Sequence, residues 1–486
     1  MKIAVLADLH LTDNFKTVKI PVLEWALQEV LKQQCDCICC IGDLTAQGSD
    51  RQTGEILKYL NALPVKWCST PGNAEVRIYR DGRNAARFDV PAPENVPVVL
   101  IDTTFNEPSA TELAKLSALP DNGGFLLATH NPVRNWSKEA QSVFEQAVKR
   151  GAVTFDIAGH SHHDDANILR GLDPDKAAGG APMFAVLTQE GDKSWSRQDL
   201  VMPNVCIAQW SAAEREDFKQ NIGFTTMWEE VAALEFAAQH RVKNVELRIA
   251  LTDDFNEKAL LNALDKWRKH GGEILSLHLP DLHLDDDGAV LRQYVEFAQS
   301  IHCDRVTLHV PRVTAAEFAS AKDVLLEKFA DIMQGLLENN VVIGIENLHT
   351  SSGKDTFETR NFGCTIEECR LWIELLREKF STDKIGFHLD VGHARNNAPI
   401  SGRENLSDWY VEMGDLLNGW HLHQVEHKEG KFFNHRPLTG FYDKLIVLTG
   451  LFMAQRAGQL KKAPMFLESR TWEGNVEAYT KLTGQI

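Results

Sequence analysis

The sequence predicts an α/β protein with two domains, the second of them a (β/α)₈ barrel. A chain of 486 residues has room for two to four domains at about 100–200 residues each. The first 165 residues alternate short apolar runs with helical patterns, and the clearest runs end in polar loops. From about residue 205 the pattern changes to regular strand–helix repeats, which have the size and period of such a barrel. We therefore predict one domain at residues 1–205 and another at 206–486.

The first domain contains eight predicted strands and two clear helical patterns. The strands are Lys2–Leu6, Cys37–Ile41, Val65–Ser69, Val98–Ile101, Gly124–Thr129, Val153–Ala158 and a terminal pair, Met183–Leu187 with Asp199–Met202. The helical patterns cover Pro21–Gln33 and Thr53–Leu60. The cysteine-rich run Cys35–Cys40 lacks two separated Cys-x₂-Cys pairs, so we interpret it as a buried strand and not as a zinc site.

The barrel is predicted to contain eight strands. Its first strand is either Val205–Gln209 or Ile222–Thr226, and the sequence leaves this choice open. The other seven are Val245–Ile249, Ile274–His278, Val306–Val310, Val341–Glu346, Ile385–Asp390, Trp420–His423 and Met465–Glu468. Long amphipathic helices such as Thr314–Glu338 and Thr365–Phe380 separate them. The linker between the domains falls within residues 202–220.

Composition excludes several classes of protein. The formal net charge of −17 disfavours a broad surface for nucleic-acid phosphates, because such surfaces depend on lysine and arginine. There is no uninterrupted apolar run of about 18 residues, so we expect no membrane-spanning helix. Nine cysteines in a long chain fit reduced thiols better than a disulfide framework, which predicts a cytoplasmic location.

Five short polar motifs follow predicted strands of the first domain, in an order that favours a pair of metal ions. They are Asp8-Leu9-His10, Gly42-Asp43, Gly72-Asn73, His130 in THNP, and Gly159-His160-Ser161-His162. Two neighbouring divalent cations need about seven hard or borderline ligands, one of them a bridging carboxylate. Aspartate, asparagine and histidine at strand ends supply such a set.

These motifs resemble those of the calcineurin-like metallophosphoesterases, over about residues 1–205. The resemblance implies an αββα sandwich that hydrolyses a phosphomonoester or phosphodiester. It also implies one metal held by Asp8, His10, Asp43 and His162, with Asp43 bridging to a second metal held by Asn73, His130 and His160.

One position departs from the family pattern. The family usually has histidine directly after the Gly-Asn pair, whereas this chain has Ala74 followed by Glu75. General acid catalysis contributes about 10²–10⁴-fold, so we expect slower turnover with the metal site retained. Three explanations stay open: a substrate with a good leaving group, replacement by a neighbour such as His163, or an engineered substitution.

A second group of polar residues lies at the ends of the predicted barrel strands, where active sites of such barrels are found. The core set is Glu346, Asp390, His421 and Glu468, a ligand set that suits Mn²⁺, Mg²⁺, Co²⁺ or Zn²⁺. His278 and His309 lie on apolar strands and fit either ligands or hydrogen-bonded core residues. We interpret His388 as structural and His423 as either a spare ligand or a packed neighbour.

The phrases IEN, HLDVGHA, WHLHQVEH, NHRPLTG and FLESR resemble the xylose-isomerase-like barrel superfamily, over about residues 205–486. That superfamily contains sugar isomerases and epimerases as well as apurinic-site endonucleases. In the isomerase branch, the core set would bind one metal, and Glu346 and Glu468 would move protons through an enediolate; we add His393 as a third catalytic residue. In the endonuclease branch there are three metals, whose additional ligand positions match His278, His309, His393 and His435. Phe433 and Gln424 stand where that branch has aspartate.

These resemblances predict a bifunctional enzyme that treats one phosphorylated or phosphodiester-linked sugar in sequence. We expect two divalent ions in the first domain and one to three in the barrel, chosen from Mn, Zn, Fe, Co and Mg. We expect a small-molecule partner and no membrane, and a homo-oligomer is left open. One alternative is a nuclease with an apurinic-endonuclease-like barrel, which the charge disfavours. Another is a degenerate phosphoesterase that acts as a sensor.

Overall fold

The structure is a computed structural model that describes residues 1–176, 181–350, 355–397, 405–428, 431–439 and 446–484. Its internal contacts divide the chain into two compact units. Unit 1 comprises Met1–Cys206 together with the helix Ile446–Arg456 as far as Met453, and unit 2 comprises the rest of the described chain from Ile207 onward. The domain boundary at residue 205 stays a prediction.

Unit 1 is built on two sheets. Its strands are β1 Lys2–Leu6, β2 Cys37–Ile41, β3 Lys66–Thr70, β4 Val98–Ile101, β5 Phe125–Thr129, β6 Val153–Ala158, β7 Met183–Gln189 and β8 Trp195–Val201. The first sheet has the order β3-β2-β1-β7-β8 and the second the order β4-β5-β6. β1, β2 and β3 are parallel, as are the strands of the second sheet, whereas β7 runs antiparallel to β1 and pairs with β8. All eight predicted strands form.

The core of unit 1 lies between these sheets, because alternate residues of β1, such as Ile3 and Val5, share one cluster with Leu126 and Ala128 of β5. Helices cover the outer faces: they are α1 Lys19–Lys32, α2 Asp50–Asn61, α3 Ala110–Ala118 and α4 Lys138–Lys149. Side chains of α3 and α4 pack against the second sheet. Trp25 of α1 packs edge-to-face against the Phe184 ring of β7. Strand β2 is buried along its whole length, which confirms its interpretation as a core strand. The predicted αββα sandwich is confirmed.

Unit 2 contains the predicted (β/α)₈ barrel, closed by eight parallel strands. They are β9 Ile222–Thr225, β10 Asn244–Leu247, β11 Ile274–His278, β12 Arg305–His309, β13 Val342–Glu346, β14 Ile385–Asp390, β15 Leu417–Leu422 and, after a hairpin, β18 Met465–Leu467. Of the two candidates for the first strand, Val205–Gln209 is wrong. Residues Ile207–Gln209 form a single 3₁₀ turn, and a capping box between Ser211 and Glu214 then begins the next helix.

Helix α5 Ala212–Asn221 precedes β9, and other helices follow the barrel strands. Within the described residues these are α6 Glu230–His240, α7 Glu257–Lys269, α8 Ala289–Ser300, α9 Ala315–Glu338, α10 Ile366–Phe380, α11 Val391–Asn396, α12 Leu406–Met413 and α14 Trp472–Gly484. Helix α13 Ile446–Arg456 belongs to unit 1 as far as Met453. The sequence did not predict the hairpin of β16 Gln424–Lys428 and β17 Lys431–Arg436, which follows β15. In the part of the chain that the structure describes, no helix is both long and apolar enough to cross a membrane.

Candidate metal centres

The structure brings all seven predicted ligands of unit 1 together at the carboxyl ends of its strands. Asp8 and His10 follow β1, Asp43 follows β2, Asn73 follows β3, His130 follows β5, and His160 and His162 follow β6. They form two groups, one of Asp8, His10 and His162 and another of Asp43, His130 and His160, with Asn73 beside the second. Asp43, the predicted bridging ligand, lies in the second group, and its Oδ2 is 3.8 Å from His10 Nε2 of the first. The ligand roles stay a prediction.

Backbone strain is concentrated at this site. Asp8, His10, Asp43, His160 and His162 all have φ between +49° and +69°, a region that residues other than glycine rarely adopt. The preceding glycines allow a close approach. A Cβ atom on Gly72, for example, would lie 2.2 Å from Asp43 Oδ1. The chain therefore holds unfavourable backbone geometry in order to point these side chains at one place.

The hydrogen bonds of His130 show why the second group fits a cation. Nδ1 lies 3.0 Å from the carbonyl oxygen of Ile41, so we assign the ring proton to that nitrogen. Nε2 then faces Asn73 Oδ1 at 3.1 Å and Asp43 Oδ1 at 3.4 Å. His160 Nδ1 lies 3.0 Å from the same Asn73 oxygen. These nitrogens and oxygens converge on one point, so they would hold a divalent cation once the imidazoles are deprotonated.

The group of Asp8, His10 and His162 is also suited to a cation. His10 Nε2 and His162 Nε2 lie 3.3 Å apart, and burial lowers the pKa of both imidazoles well below the ordinary value, so both are neutral. Burial, helped by the charge of Asp43, raises the pKa of Asp8 to about 8 although His130 opposes it. Neutral imidazoles and crowded carboxylates are what a divalent cation requires and stabilises.

The structure shows the surroundings of Ala74, which stands where the family usually has histidine. Ala74 is buried, and its N–H donates to Asp43 Oδ1 at 2.7 Å. Glu75 has a structural role, because its carboxylate accepts hydrogen bonds from the N–H groups of Asp43, Thr45 and Gly72. His163 Nδ1 lies 2.9 Å from the Ser161 carbonyl and Nε2 lies 3.4 Å from Arg134. Among the contacts of the described residues, His163 makes none with the seven ligands, so its position does not support a replacement role.

In unit 2 the structure gathers every predicted site residue at the carboxyl ends of the barrel strands. His278, His309, Glu346 and Asp390 are the last residues of β11, β12, β13 and β14, His421 lies on β15, Glu468 follows β18, His393 lies on α11 and His435 lies on β17. Three ligand groups result: His278 with His309 and Glu346; His278 with His421 and Glu468; and Asp390 with His423, His435 and Glu468.

His421 lies at the centre of this set. Its Nδ1 is 3.3 Å from Glu346 Oε2 and 3.2 Å from Glu468 Oε2, while its Nε2 is 2.5 Å from Glu246 Oε1. His421 Nε2 therefore donates to Glu246, and Nδ1 faces two glutamates. Burial disfavours protonation of His421, yet Glu468, Glu346 and Glu246 raise its pKa well above the ordinary value. Both Nδ1 and Glu468 Oε2 are buried without a hydrogen-bond partner. Such an arrangement fits a bound cation.

In the group of His278, His309 and Glu346, each histidine again has one ring nitrogen bonded while the other faces a glutamate. His278 Nδ1 is bonded to the Leu279 carbonyl, which leaves Nε2 facing Glu346 Oε2 at 3.2 Å. His309 Nδ1 is bonded to Asp281 Oδ1 at 2.7 Å, which leaves Nε2 facing Glu346 Oε1 at 3.4 Å. Burial disfavours protonation of His309, yet Glu346 and Asp281 raise its pKa to about 9. These contacts favour a ligand role for both histidines over a purely core role.

The third group surrounds Asp390. His435 Nε2 lies 3.4 Å from Glu468 Oε2 and 3.9 Å from Asp390 Oδ2. His423 differs, because its Nδ1 accepts a hydrogen bond from the His435 N–H and its Nε2 must then donate to Asp390 Oδ1 at 2.9 Å. His423 therefore orients Asp390. His393 Nδ1 bonds the Asn347 carbonyl, which leaves Nε2 as its acceptor.

Two functional carboxylates were missed by sequence reasoning. Glu246 orients His421, and Asp281 orients His309 while also accepting from Arg312 Nε at 2.6 Å. A signal existed for Glu246, because a glutamate in the middle of an apolar strand needs a buried partner. Asp281 lies in a loop and gives no such signal. His388, interpreted as structural, is fully buried and accepts from Arg305.

Comparison with known proteins gives a match for each unit. Residues 1–164 match the family model of the calcineurin-like phosphoesterases, and residues 234–452 match that of the xylose isomerase-like TIM barrels. No curated protein matches the chain.

Several solved structures resemble the barrel portion. One is a D-tagatose 3-epimerase-like protein, at 15% identity over 55% of this chain and 98% of its own, with a TM-score of 0.40. Another is a protein from Thermus thermophilus soaked with zinc chloride, at 20% identity over 55% and 99%, with a TM-score of 0.37. A third is a family 2 AP endonuclease from Brucella melitensis, at 15% identity over 54% and 96%, with a TM-score of 0.37.

Proposed function

Because this chain joins a calcineurin-like phosphoesterase domain to a xylose isomerase-like TIM barrel, we propose that it is a bifunctional metal-dependent enzyme. Unit 1 hydrolyses a phosphate ester, and unit 2 isomerises or epimerises a small sugar or sugar phosphate. The seven ligands of unit 1 would hold two divalent ions and the barrel one to three. Mn, Zn, Fe, Co and Mg all suit these donors. The nine free cysteines support the predicted cytoplasmic location.

In unit 1 the seven ligands would hold two cations, with Asp43 bridging between them. When bound, such a pair supplies an activated water and neutralises the charge that develops on phosphorus. The residues of the chain fix the geometry. Glu75 holds the backbone around Asp43, and the Ala74 N–H fixes one Asp43 oxygen. With no imidazole at position 74, a substrate with a good leaving group is the most favourable one.

The observation that supports the barrel activity most directly is the position of His421 Nδ1 between Glu346 and Glu468. These three residues would hold a cation there, and its chemistry would be Lewis-acid polarisation of a hydroxyketone. Glu346 and Glu468 would then remove a proton from one carbon and return one at the next. We also propose His393, which offers Nε2 as an acceptor near this cluster, as a further proton carrier.

A second candidate function is nucleic-acid cleavage by the barrel. The observation that favours it is the additional pair of ligand groups, one of His278 and His309 around Glu346 and one of His435 near Asp390 and Glu468. Its weaknesses are Phe433 at an expected aspartate position and the net charge of −17. Nicking of an abasic-site duplex at low salt separates the candidates, because the sugar-isomerase proposal expects no cleavage.

The test uses the full chain loaded with Mn²⁺ or Zn²⁺ and a panel of sugar phosphates, with phosphate release and ketose formation followed in parallel. We expect Asp43→Asn to abolish phosphate release and spare ketose formation, and Glu468→Gln to do the reverse. No turnover of any substrate by the wild type contradicts the proposal. If Ala74→His gives no rate gain and the unit binds no metal, the sensor alternative is favoured instead.

A further inference from the structure

A cavity of about 300 Å³ lies beside the metal ligands of unit 1. Asn73 and His160 form one wall. The remaining wall includes Arg77, Arg80, Thr104 and Phe105. The cavity therefore joins the predicted reaction centre to side chains that none of the seven ligand roles explains.

Two guanidinium groups make this cavity electropositive in an acidic protein. The segment from Arg77 to Arg87 contains four arginines and one aspartate, although the whole chain carries a net charge of −17. Arg77 Nη1 donates to the Ala46 carbonyl at 3.0 Å, which anchors the side chain near the ligands. Arg80 is exposed and makes no ion pair among the described contacts. Arg83 differs, because its guanidinium stacks on the Tyr79 ring at 3.5 Å, away from the cavity lining.

Phe105 places an apolar ring at the same cavity, with 68% of its surface exposed. Its loop is well anchored. The Thr104 N–H donates to Asp102 at 2.8 Å, and the Asn131 side chain donates to the Asn106 carbonyl at 2.5 Å. Because Asn131 directly follows His130, the backbone that carries Phe105 is held near the metal ligands.

We propose that this cavity binds the leaving group of the unit 1 substrate, and that this leaving group carries a second phosphate and a flat ring. The inference rests on the proposed phosphoesterase activity. Arg77 and Arg80 would bind the second phosphate through charge-assisted hydrogen bonds, and Phe105 would stack on the ring. A nucleoside diphosphate has this chemistry. The reaction of a nucleoside diphosphate here is hydrolysis. Water adds to the terminal phosphorus, the bond from that phosphorus to the bridging oxygen breaks, and a proton from the water goes to the departing nucleoside monophosphate.

The test compares ADP with p-nitrophenyl phosphate, which lacks a second phosphate, on the Mn²⁺-loaded full chain. The hydrolysis rate that remains in Asp43→Asn is subtracted from each measurement, because that activity comes from elsewhere in the chain. We expect Arg80→Met to lower kcat/KM for ADP by about 10- to 100-fold and to change that for p-nitrophenyl phosphate by less than about threefold. Phe105→Ala should lower the ADP value by about fivefold or more.

Arg83→Met is the matched control, because it removes the same charge from the same segment outside the cavity lining. Equal effects of Arg80→Met and Arg83→Met on ADP would overturn the inference. If neither p-nitrophenyl phosphate, an ester, nor ADP, a phosphoanhydride, is hydrolysed, the proposed activity of unit 1 fails. Calorimetry of ADP binding then tests the inference by itself. A dissociation constant that is at least about tenfold weaker in Arg80→Met than in Arg83→Met supports it, and equal constants overturn it.

Discussion

Glu246 Oε1 lies 2.5 Å from His421 Nε2 in the fully buried interior of the barrel. Glu246 Oε2 accepts hydrogen bonds from Ser276 and Thr307 as well, so the carboxylate is fixed on both sides. Burial alone would raise the pKa of Glu246, but the charge of His421 and its hydrogen bond hold it well below the usual range. An ionised Glu246 thus fixes the orientation of the His421 ring and directs Nδ1 toward Glu346 and Glu468.

The first prediction follows from this contact. Glu246→Gln keeps the shape of the side chain but weakens its hold on the His421 proton, so we expect metal affinity of the barrel to fall by about 10–100-fold. Competition with a chelator, followed by metal analysis, measures the change. Glu235→Gln, on an exposed helix face, is the matched control. Wild-type affinity in Glu246→Gln would show that this carboxylate does not orient a metal ligand.

A second prediction concerns Gly392, which precedes His393. A Cβ atom at this position would lie 1.9 Å from His423 Cε1, and the His423 ring is held by Asp390 and by the His435 N–H. We expect Gly392→Ala to lower the free energy of unfolding by about 1–3 kcal/mol through overpacking. Denaturant unfolding measures it, with Gly484→Ala as a control that meets no neighbouring atom. An unchanged midpoint would mean that His423 moves aside without cost.

A third prediction concerns the buried ion pair behind the unit 1 ligands. The Lys19 ammonium contacts Asp173 and donates to the Leu9 carbonyl at 3.3 Å, between Asp8 and His10. Lys19→Met leaves a buried carboxylate without its cation, so we expect a loss of about 3–5 kcal/mol in the free energy of unfolding. Adding Asp173→Asn should restore part of this loss. A double variant no more stable than Lys19→Met would argue against the ion pair as the cause.

A fourth prediction concerns pH. Burial raises the pKa of Asp156 to about 6, while Asn167 donates to its carboxylate at 2.8 Å. Because the folded state binds this proton more tightly than the unfolded state, the contribution of Asp156 to stability is greatest at low pH and is lost as pH rises from about 4 to 6. Asp156→Asn keeps the acceptor and removes the charge, so we expect a gain of about 1–3 kcal/mol at pH 8 and almost none at pH 4.

Asp192 is the control for the same experiment, because its pKa is shifted in the opposite direction to that of Asp156. The hydroxyl and N–H of Ser194 lower the pKa of this exposed carboxyl. Asp192→Asn should therefore weaken stability at pH 8 and have less effect at pH 4. If both asparagine variants shift stability in the same direction with pH, burial of Asp156 is not the cause of its effect.

The sequence predicted the fold well because the spacing of apolar residues along the chain indicates most of the strands and helices. The residues of β2, for example, are a continuous apolar run, and those of β14 are apolar except for His388 and Asp390; both form buried strands. The alternative strand at Val205–Gln209 was wrong because a run of four apolar residues and a glutamine does not reveal that a capping box follows it. The hairpin of β16 and β17 lacks a clear alternating pattern, so it was missed.

The sequence predicted the ligands better than the residues that orient them. Ligands such as Asp8 and His421 lie in family motifs at strand ends, whereas Glu246 and Asp281 belong to no such motif. Their roles depend on contacts between strands far apart in the sequence, as between Glu246 and His421, which are separated by 175 positions. Such pairs become visible only once the barrel is closed.

Metal content tests the central claim, that each unit holds its own metal centre, most directly. The full chain is loaded with Mn²⁺ or Zn²⁺, freed of weakly bound ions, and analysed beside Asp43→Asn and Glu346→Gln. We predict three to five ions per wild-type chain, with Asp43→Asn losing those of unit 1 and Glu346→Gln those of the barrel. Three ions would favour the isomerase-like barrel, and four or five the three-metal cluster. Fewer than two ions in the wild type, or the same content in all three proteins, would contradict the account.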